Sequence, residues 1–175
     1  TDRLLDEVEL FITGTSPVGH SRRVLATVLY SDVVGSTTTA ATLGDRKWRG
    51  LLDRHDQLVR RALRHFDGQQ VKQTGDGFLA TFDGPARALR CAAAIRRALA
   101  EIGLEVRMGV HAGEVERRGV DIGGIAVHVA ARVEAVAEAG EILVSRTVRD
   151  LVAGSGIRFG DRGEHRLKGL PEAWP

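Results

Sequence analysis

Two short runs of strand-forming residues, 69–73 and 78–82, are separated only by Thr74-Gly75-Asp76-Gly77. So brief a link joins them as an antiparallel hairpin, and the Asp-Gly pair is expected to supply the positive backbone angles that tight hairpins need. Upstream, Val24-Leu25-Ala26-Thr27-Val28-Leu29-Tyr30 is a near-continuous apolar run with the β-branched content of a central strand buried on both faces, and it ends at Ser31-Asp32. A sheet built on these strands needs helices to cover it. The spacing of Trp48, Leu51, Leu52, His55, Leu58, Val59 and Leu63 predicts a long helical region broken or recapped at Gly44-Asp45 and closed by Gly68. Pro85 opens a second helix, whose Ala88, Leu89, Ala92, Ile95 and Leu99 share one face and which Gly103 stops. Residues 105–111 then alternate with period two, so Met108 belongs to the core.

This order reads βαββαβ, and the fold class is α+β: a ferredoxin-like sandwich with both helices on one sheet face. Appended C-terminal α/β elements follow: a helix near 125–137, a strand at 141–144, a helix near 147–152 and a strand-rich end at 157–167. Leu4, Leu5, Val8, Phe11 and Ile12 have amphipathic-helix spacing before a linker at 15–19, so 1–22 is read as helix plus linker and 23–175 as one domain. A start at Thr1 is expected of a piece cut or processed from something longer, with an upstream regulatory domain as one source of the first helix.

Composition narrows the function. A 175-residue chain that is 43% hydrophobic suffices for one real core. A single cysteine, Cys91, excludes an internal disulfide and fits a reducing compartment. No apolar run approaches the roughly 20 residues that cross a bilayer, and no leader is evident, so the expectation is a cytoplasmic protein without membrane attachment. A net charge of +2, with arginines scattered among acids, argues against a nucleic-acid partner. Aromatics at 5% are too few for the stacking sheet of a ferredoxin-like RNA-binding module.

Two acids stand where chemistry could occur: Asp32 after the first buried strand, and Asp76 at the hairpin tip. In a ferredoxin-like sheet those strands are neighbours, so the carboxylates can converge, and two hard carboxylates suit magnesium or manganese bridged to substrate phosphates. Either acid alone is equally at home in a turn. Val33-Val34-Gly35-Ser36-Thr37 leads into a helix whose free N–H groups can hold a triphosphate, although Ser and Thr there are also ordinary helix caps.

Four segments, taken in order, carry a resemblance: Tyr30-Ser31-Asp32-Val33-Val34-Gly35-Ser36-Thr37, Lys72-Gln73-Thr74-Gly75-Asp76-Gly77-Phe78, Arg107-Met108-Gly109-Val110-His111-Ala112-Gly113 and Val127-His128-Val129-Ala130-Ala131-Arg132. Together they resemble the signature blocks of class III adenylyl and guanylyl cyclases, from about residue 23 to about 169. The Gly-Gly-Asp/Glu-Glu-Phe hairpin of diguanylate cyclases is absent. The resemblance implies that Asp32 and Asp76, helped by the Val33 carbonyl, bind two divalent cations, Mg2+ or Mn2+, and that ATP is converted to 3′,5′-cyclic AMP and pyrophosphate. It implies that Val34, Gly35, Ser36, Thr37 and Lys168 meet phosphates, and that Arg132 contacts the α-phosphate. Lys72 and Asp121 match the pair that reads adenine at N1 and the exocyclic amine. His128 stands where most members carry a ribose-orienting asparagine. An imidazole can make one such bond, with charge that changes near neutral pH. His55, His65 and His111 lack ligand spacing and are read as structural. Because members divide these residues between subunits, the resemblance also implies a homodimer with two composite sites. The alternatives are a guanylyl cyclase and a weakly active nucleotide-binding regulatory domain.

Overall fold

The computed structural model describes residues 22–166 and 173–174. The helix expected at 2–12 and Lys168 lie outside them. The apolar run becomes the middle of β1 (Arg22–Val33), followed by α1 (Ser36–Leu43) and α2 (Asp45–His65). Gly44, at φ 79°, separates these two helices at the expected break. Then come β2 (Gln69–Thr74), β3 (Gly77–Phe82), α3 (Pro85–Glu101) and β4 (Val106–Arg118). The main sheet runs β2-β3-β1-β4, with every neighbouring pair antiparallel, which is the ferredoxin-like order. The appended part adds β5 (Asp121–Gly123) antiparallel to the end of β4, α4 (Ile125–Val136), β6 (Ile142–Val144) parallel to the start of β4, and α5 (Arg146–Leu151).

Alternation along β1 feeds two cores. Leu29 and Val33 join Val59 and Leu63 of α2, the apolar face of α3, and Met108, Val110 and Ala112 of β4 in the larger one. Cys91 is buried there, and burial pushes its thiol up to about 12, which leaves it unreactive. Ala26 and Val28 point the other way, into a smaller cluster with Leu79, Val115, Ile122, Ala126 and Ala130. Val71 of β2 packs on this cluster too, so the sheet coils until its two edges approach each other across it.

Helix α4 lies against β4 because β4 has glycines beneath it. A Cβ at Gly109 would collide with the Glu134 amide and the Ala130 carbonyl, whereas one at Gly113 would meet only the Ala126 methyl, at 3.1 Å, and the His111 ring. His111 is buried beside this contact with Nδ1 2.7 Å from Ser145 Oγ. His55 is buried as well.

Three local readings are corrected. The hairpin pairs Thr74 with Gly77, and the positive φ, 72°, is at Gly75 instead of in the Asp-Gly pair. Glycine at the first of two central positions is the other common two-residue hairpin solution. The strand-rich end expected at 157–167 contains no strand before His165. Its polar, exposed stretch turns at Gly156 and Gly163, both at positive φ, and Asp161 accepts the Gly163 N–H at 2.8 Å. β4 also continues past 111 to Arg118, because the appended helix and β5 cover the extension that the sandwich alone would leave bare.

Two stability outcomes follow from these contacts. Gly109→Ala should cost about 1–3 kcal/mol or more, since backbone must move, and Gly113→Ala distinctly less; urea midpoints measure both. Burial holds His111 down to about 4 from its ordinary 6.5. The unfolded chain therefore takes up this proton first, and the stabilisation present above about pH 6.5 is lost as pH falls toward 4. Urea midpoints taken across that window should fall more steeply for the wild-type protein than for His111→Gln.

Candidate active site

The register sets the first pair of carboxylates side by side. Ser31 pairs with Phe78 across β1 and β3, so Asp32 is level with Gly77 and next to Asp76. A Cβ on Gly77 would collide with the Ser31 carbonyl, so only glycine lets the hairpin close this tightly onto β1. Asp32 is held above the usual carboxylate range, first by burial and then by the Asp76 carboxylate, which is near enough to share a proton; Arg107 opposes both effects.

Arg107 faces Asp32 on the other side, in the β1–β4 register. Its Nη2 donates to Asp32 Oδ2 at 3.0 Å. Its Nε lies 2.7 Å from Glu134 Oε1 on α4, a charge contact in which the N–H is not aimed at the oxygen. Glu134 is only 8% exposed, and burial raises its pKa while Arg107 lowers it. Sequence reasoning missed both residues as site members. Arg107 sits inside one of the quoted segments, directly before the core residue Met108, and the strand alternation alone was enough to turn it away from the core.

Beside the acids, α1 begins at Ser36 with Gly35 as N-cap at φ 64° and no side-chain cap. The first-turn N–H groups therefore have no side-chain acceptor, and Ser36 and Thr37 are not serving as caps. The Val34 N–H is already engaged by the Glu105 carbonyl at 2.9 Å. This corrects the reading of Val34 as a free backbone donor, and the available donors begin beyond it.

Lys72 and Asp121 come from opposite edge strands, yet Nζ and Oδ1 are 3.1 Å apart, because the sheet coils. Asp121 also accepts the Ile122 N–H at 2.8 Å, and that bond, followed by Lys72, holds its pKa down. His128 and Arg132 are both exposed, one turn apart on α4. Arg132 is two residues from Glu134, so the helix points them to roughly opposite sides. Glu134 faces Asp32 of the same chain; Arg132 faces away from it. Exposed Ile125, at 60%, lies at the start of this outward side, with Val120, at 90%, just before it.

The donors present fit a hard divalent cation. Among the described residues no group of three or more His, Cys, Asp or Glu side chains could enclose an ion. Two convergent carboxylates suit magnesium or manganese, which complete their shells with water and substrate oxygens. No helix among the described residues is long and apolar enough to cross a membrane.

Residues 20–174 match the family model described as the adenylate and guanylate cyclase catalytic domain. The chain is 31% identical over 158 residues to a protein of Rhizobium meliloti (strain 1021) named "Putative adenylate cyclase 3", an alignment that takes in 85% of this chain but only 27% of that relative's length. A crystal structure from Silicibacter pomeroyi, described as an adenylate/guanylate cyclase/hydrolase, superposes with TM-score 0.76 at 31% identity, covering 87% of this chain and 94% of that one. The adenylyl cyclase CyaB of P. aeruginosa superposes with TM-score 0.80 at 26% identity, covering 87% and 92%. The guanylyl cyclase Cya2, at 23% identity and TM-score 0.75 over 88% of this chain and 90% of its own, shares the fold.

The crowding of Asp32 by Asp76 has a thermal consequence. Without metal, Asp76→Asn should melt higher than wild type, because it removes like-charge repulsion and leaves the Arg107–Asp32 bond intact. Added Mn2+ should raise the wild-type melting temperature and leave Asp76→Asn unmoved. Calorimetry with and without Mn2+ measures both shifts.

Proposed function

This chain belongs to the family of adenylate and guanylate cyclase catalytic domains, and we propose that it is an adenylyl cyclase that forms 3′,5′-cyclic AMP and pyrophosphate from ATP at two composite sites of a homodimer. The observation that carries this reading is the convergence of Asp32 and Asp76, which the sequence separates by a helical layer and a strand. Two divalent cations held there, with help from the Val33 carbonyl, would activate the ribose 3′-hydroxyl and offset triphosphate charge.

The remaining work falls to this chain's own groups. The uncapped N–H groups of α1, from Gly35 through Ser36 and Thr37, donate to phosphate oxygens. Arg132 presents a planar guanidinium to the α-phosphate as negative charge builds on it, which lowers the barrier only to the extent that it binds that charge better than the ground state. His128, on the same exposed face, orients the ribose. Lys168 is assigned to the terminal phosphates. Holding the 3′-hydroxyl in line with the α-phosphorus is the larger part of catalysis in such a site.

The outward direction of Arg132 supports the dimer. A residue on the side of α4 opposite Glu134 faces away from its own Asp32, and in this reading it serves the acids of a second copy. The exposed apolar residues Ile125 and Val120 beside it favour burial at such a contact. One subunit then supplies the acids, while its partner supplies the adenine reader, the ribose residue and the arginine.

The Lys72–Asp121 pair favours ATP over GTP. Lysine donates where adenine N1 accepts, and aspartate accepts from the exocyclic amine; guanine presents the reverse polarity at that edge. Each unmet buried polar group costs about 1–3 kcal/mol. A GTP preference is the second reading, supported by fold neighbours that are guanylyl cyclases.

Purified protein with Mn2+ and ATP should yield cyclic AMP and pyrophosphate in equal amounts, with turnover of GTP lower by about tenfold or more. Asp32→Ala and Arg132→Ala should each be inactive alone and regain activity on mixing, through one intact site per heterodimer. No cyclic product from either nucleotide would overturn the cyclase reading, and failure of two folded, dimeric mutants to complement would overturn the shared site.

A further inference from the structure

Asp32, Arg107 and Glu134 form a line of alternating charge that runs from the end of β1, through β4, to the inner side of α4. Its outer member is the unusual one. Glu134 is a carboxylate on the buried side of its helix, among Ala126, Val129, Ala130 and Val133, where an apolar residue would be the default. Burial of a charged carboxylate is tolerated only with a partner, and Arg107 is that partner. The approach also has a dedicated device: Gly109, two residues along β4 from Arg107 and on the same face of the sheet, whose missing side chain lets the Glu134 backbone rest on the strand.

We propose that Glu134 is a positioning residue for the cation site: by holding Arg107 from the α4 side it keeps that guanidinium from neutralising Asp32 in full, and so sets how tightly the Asp32–Asp76 pair takes divalent ions. This rests on the reading of Asp32 and Asp76 as the cation ligands.

With all three ionised, Asp32, Asp76 and Glu134 set three negative charges against the one positive charge of Arg107, so the cluster as a whole presents two negative charges to an incoming cation. With glutamine at 134 the count falls to one. The guanidinium then has a single carboxylate to satisfy, at the 3.0 Å contact it already makes with Asp32. A divalent ion arriving at Asp32 would have to displace a better-held and uncompensated cation. The Arg107–Glu134 contact is close but poorly aligned, with Nε and Oε1 both lacking a well-formed hydrogen bond, so Arg107 is held there by charge and can re-aim its other N–H groups. One unit of charge a few ångströms from a partly buried site changes divalent affinity by on the order of tenfold or more.

The test is Mn2+ binding to nucleotide-free protein, followed by the electron paramagnetic resonance signal of free Mn2+ in wild type, Asp32→Asn, Glu134→Gln, Arg107→Met and the Glu134→Gln/Arg107→Met double variant. Glu134→Gln should raise the Mn2+ dissociation constant by about tenfold or more. The double variant, whose charge count returns to that of wild type, should recover to within roughly threefold, on the expectation that the matched charges cancel. Unchanged binding in Glu134→Gln, or a double variant as weak as the single, would overturn the proposal; the second result is what a purely structural role in seating α4 would give. If Glu134→Gln fails to fold, Arg107→Met decides: it removes the competing cation and should bind Mn2+ at least as tightly as wild type, and weaker binding would overturn the proposal. Wild-type protein that takes up no Mn2+, or takes it up independently of Asp32, would instead overturn the cation-site reading on which the proposal stands.

Discussion

The close contact between the β2–β3 hairpin and β1 is the constraint on which the rest depends. Gly77 abuts the Ser31 carbonyl so closely that no side chain fits. That contact places Asp76 beside Asp32, whose carboxyl is held above its ordinary range first by burial and then by Asp76. The fold sustains this arrangement because it does not depend on the site for cohesion. Leu29, Phe78, Ile95, Leu99 and Met108 are fully buried in the main core on the other side of the sheet, and burying a large apolar side chain contributes about 1.5–3 kcal/mol. Exposed polar pairs such as Lys72–Asp121 contribute little to stability by comparison.

Helix α4 is the second organising element, and it has two unlike faces. The inner face seats on Gly109 and Gly113 and delivers Glu134 to Arg107. The outer face carries His128 and Arg132. A helix held this closely to a strand cannot tilt without disturbing the ion pairs beneath it. The rigidity that fixes the outward residues thus has the same origin as the electrostatics around Asp32.

Much of this was legible in the sequence, for identifiable reasons. Strands with long apolar or alternating patterns, such as β1 and the first half of β4, announce themselves because burial dictates residue type at every position. The convergence of Asp32 and Asp76 followed from the βαββαβ order, since that order makes β1 and β3 neighbours. Less legible were features decided by tertiary contact. The positive φ in the hairpin fell on Gly75 because Gly77 was needed for another purpose, its approach to Ser31. The engagement of the Val34 N–H by Glu105 joins residues 71 positions apart and has no local signal. Arg107 and Glu134 each look like ordinary charged residues in a strand and a helix, and only the register reveals that they meet.

The meeting of Lys72 with Asp121 shows how much depends on the coil of the sheet. In a flat sheet β2 and β5 would lie at opposite edges with three strands between them. The small cluster formed by Ala26, Val28, Leu79, Val115 and Ile122, with Val71 against it, draws those edges together. Strand twist supplies the tendency to curl, and apolar burial on the concave side fixes its extent. The meeting of these two charged groups is therefore set by a patch of aliphatic side chains. A change in the volume of that patch would alter the 3.1 Å separation of the pair without altering either residue. The geometry of the pair is in that sense a property of packing as much as of the lysine and the aspartate themselves.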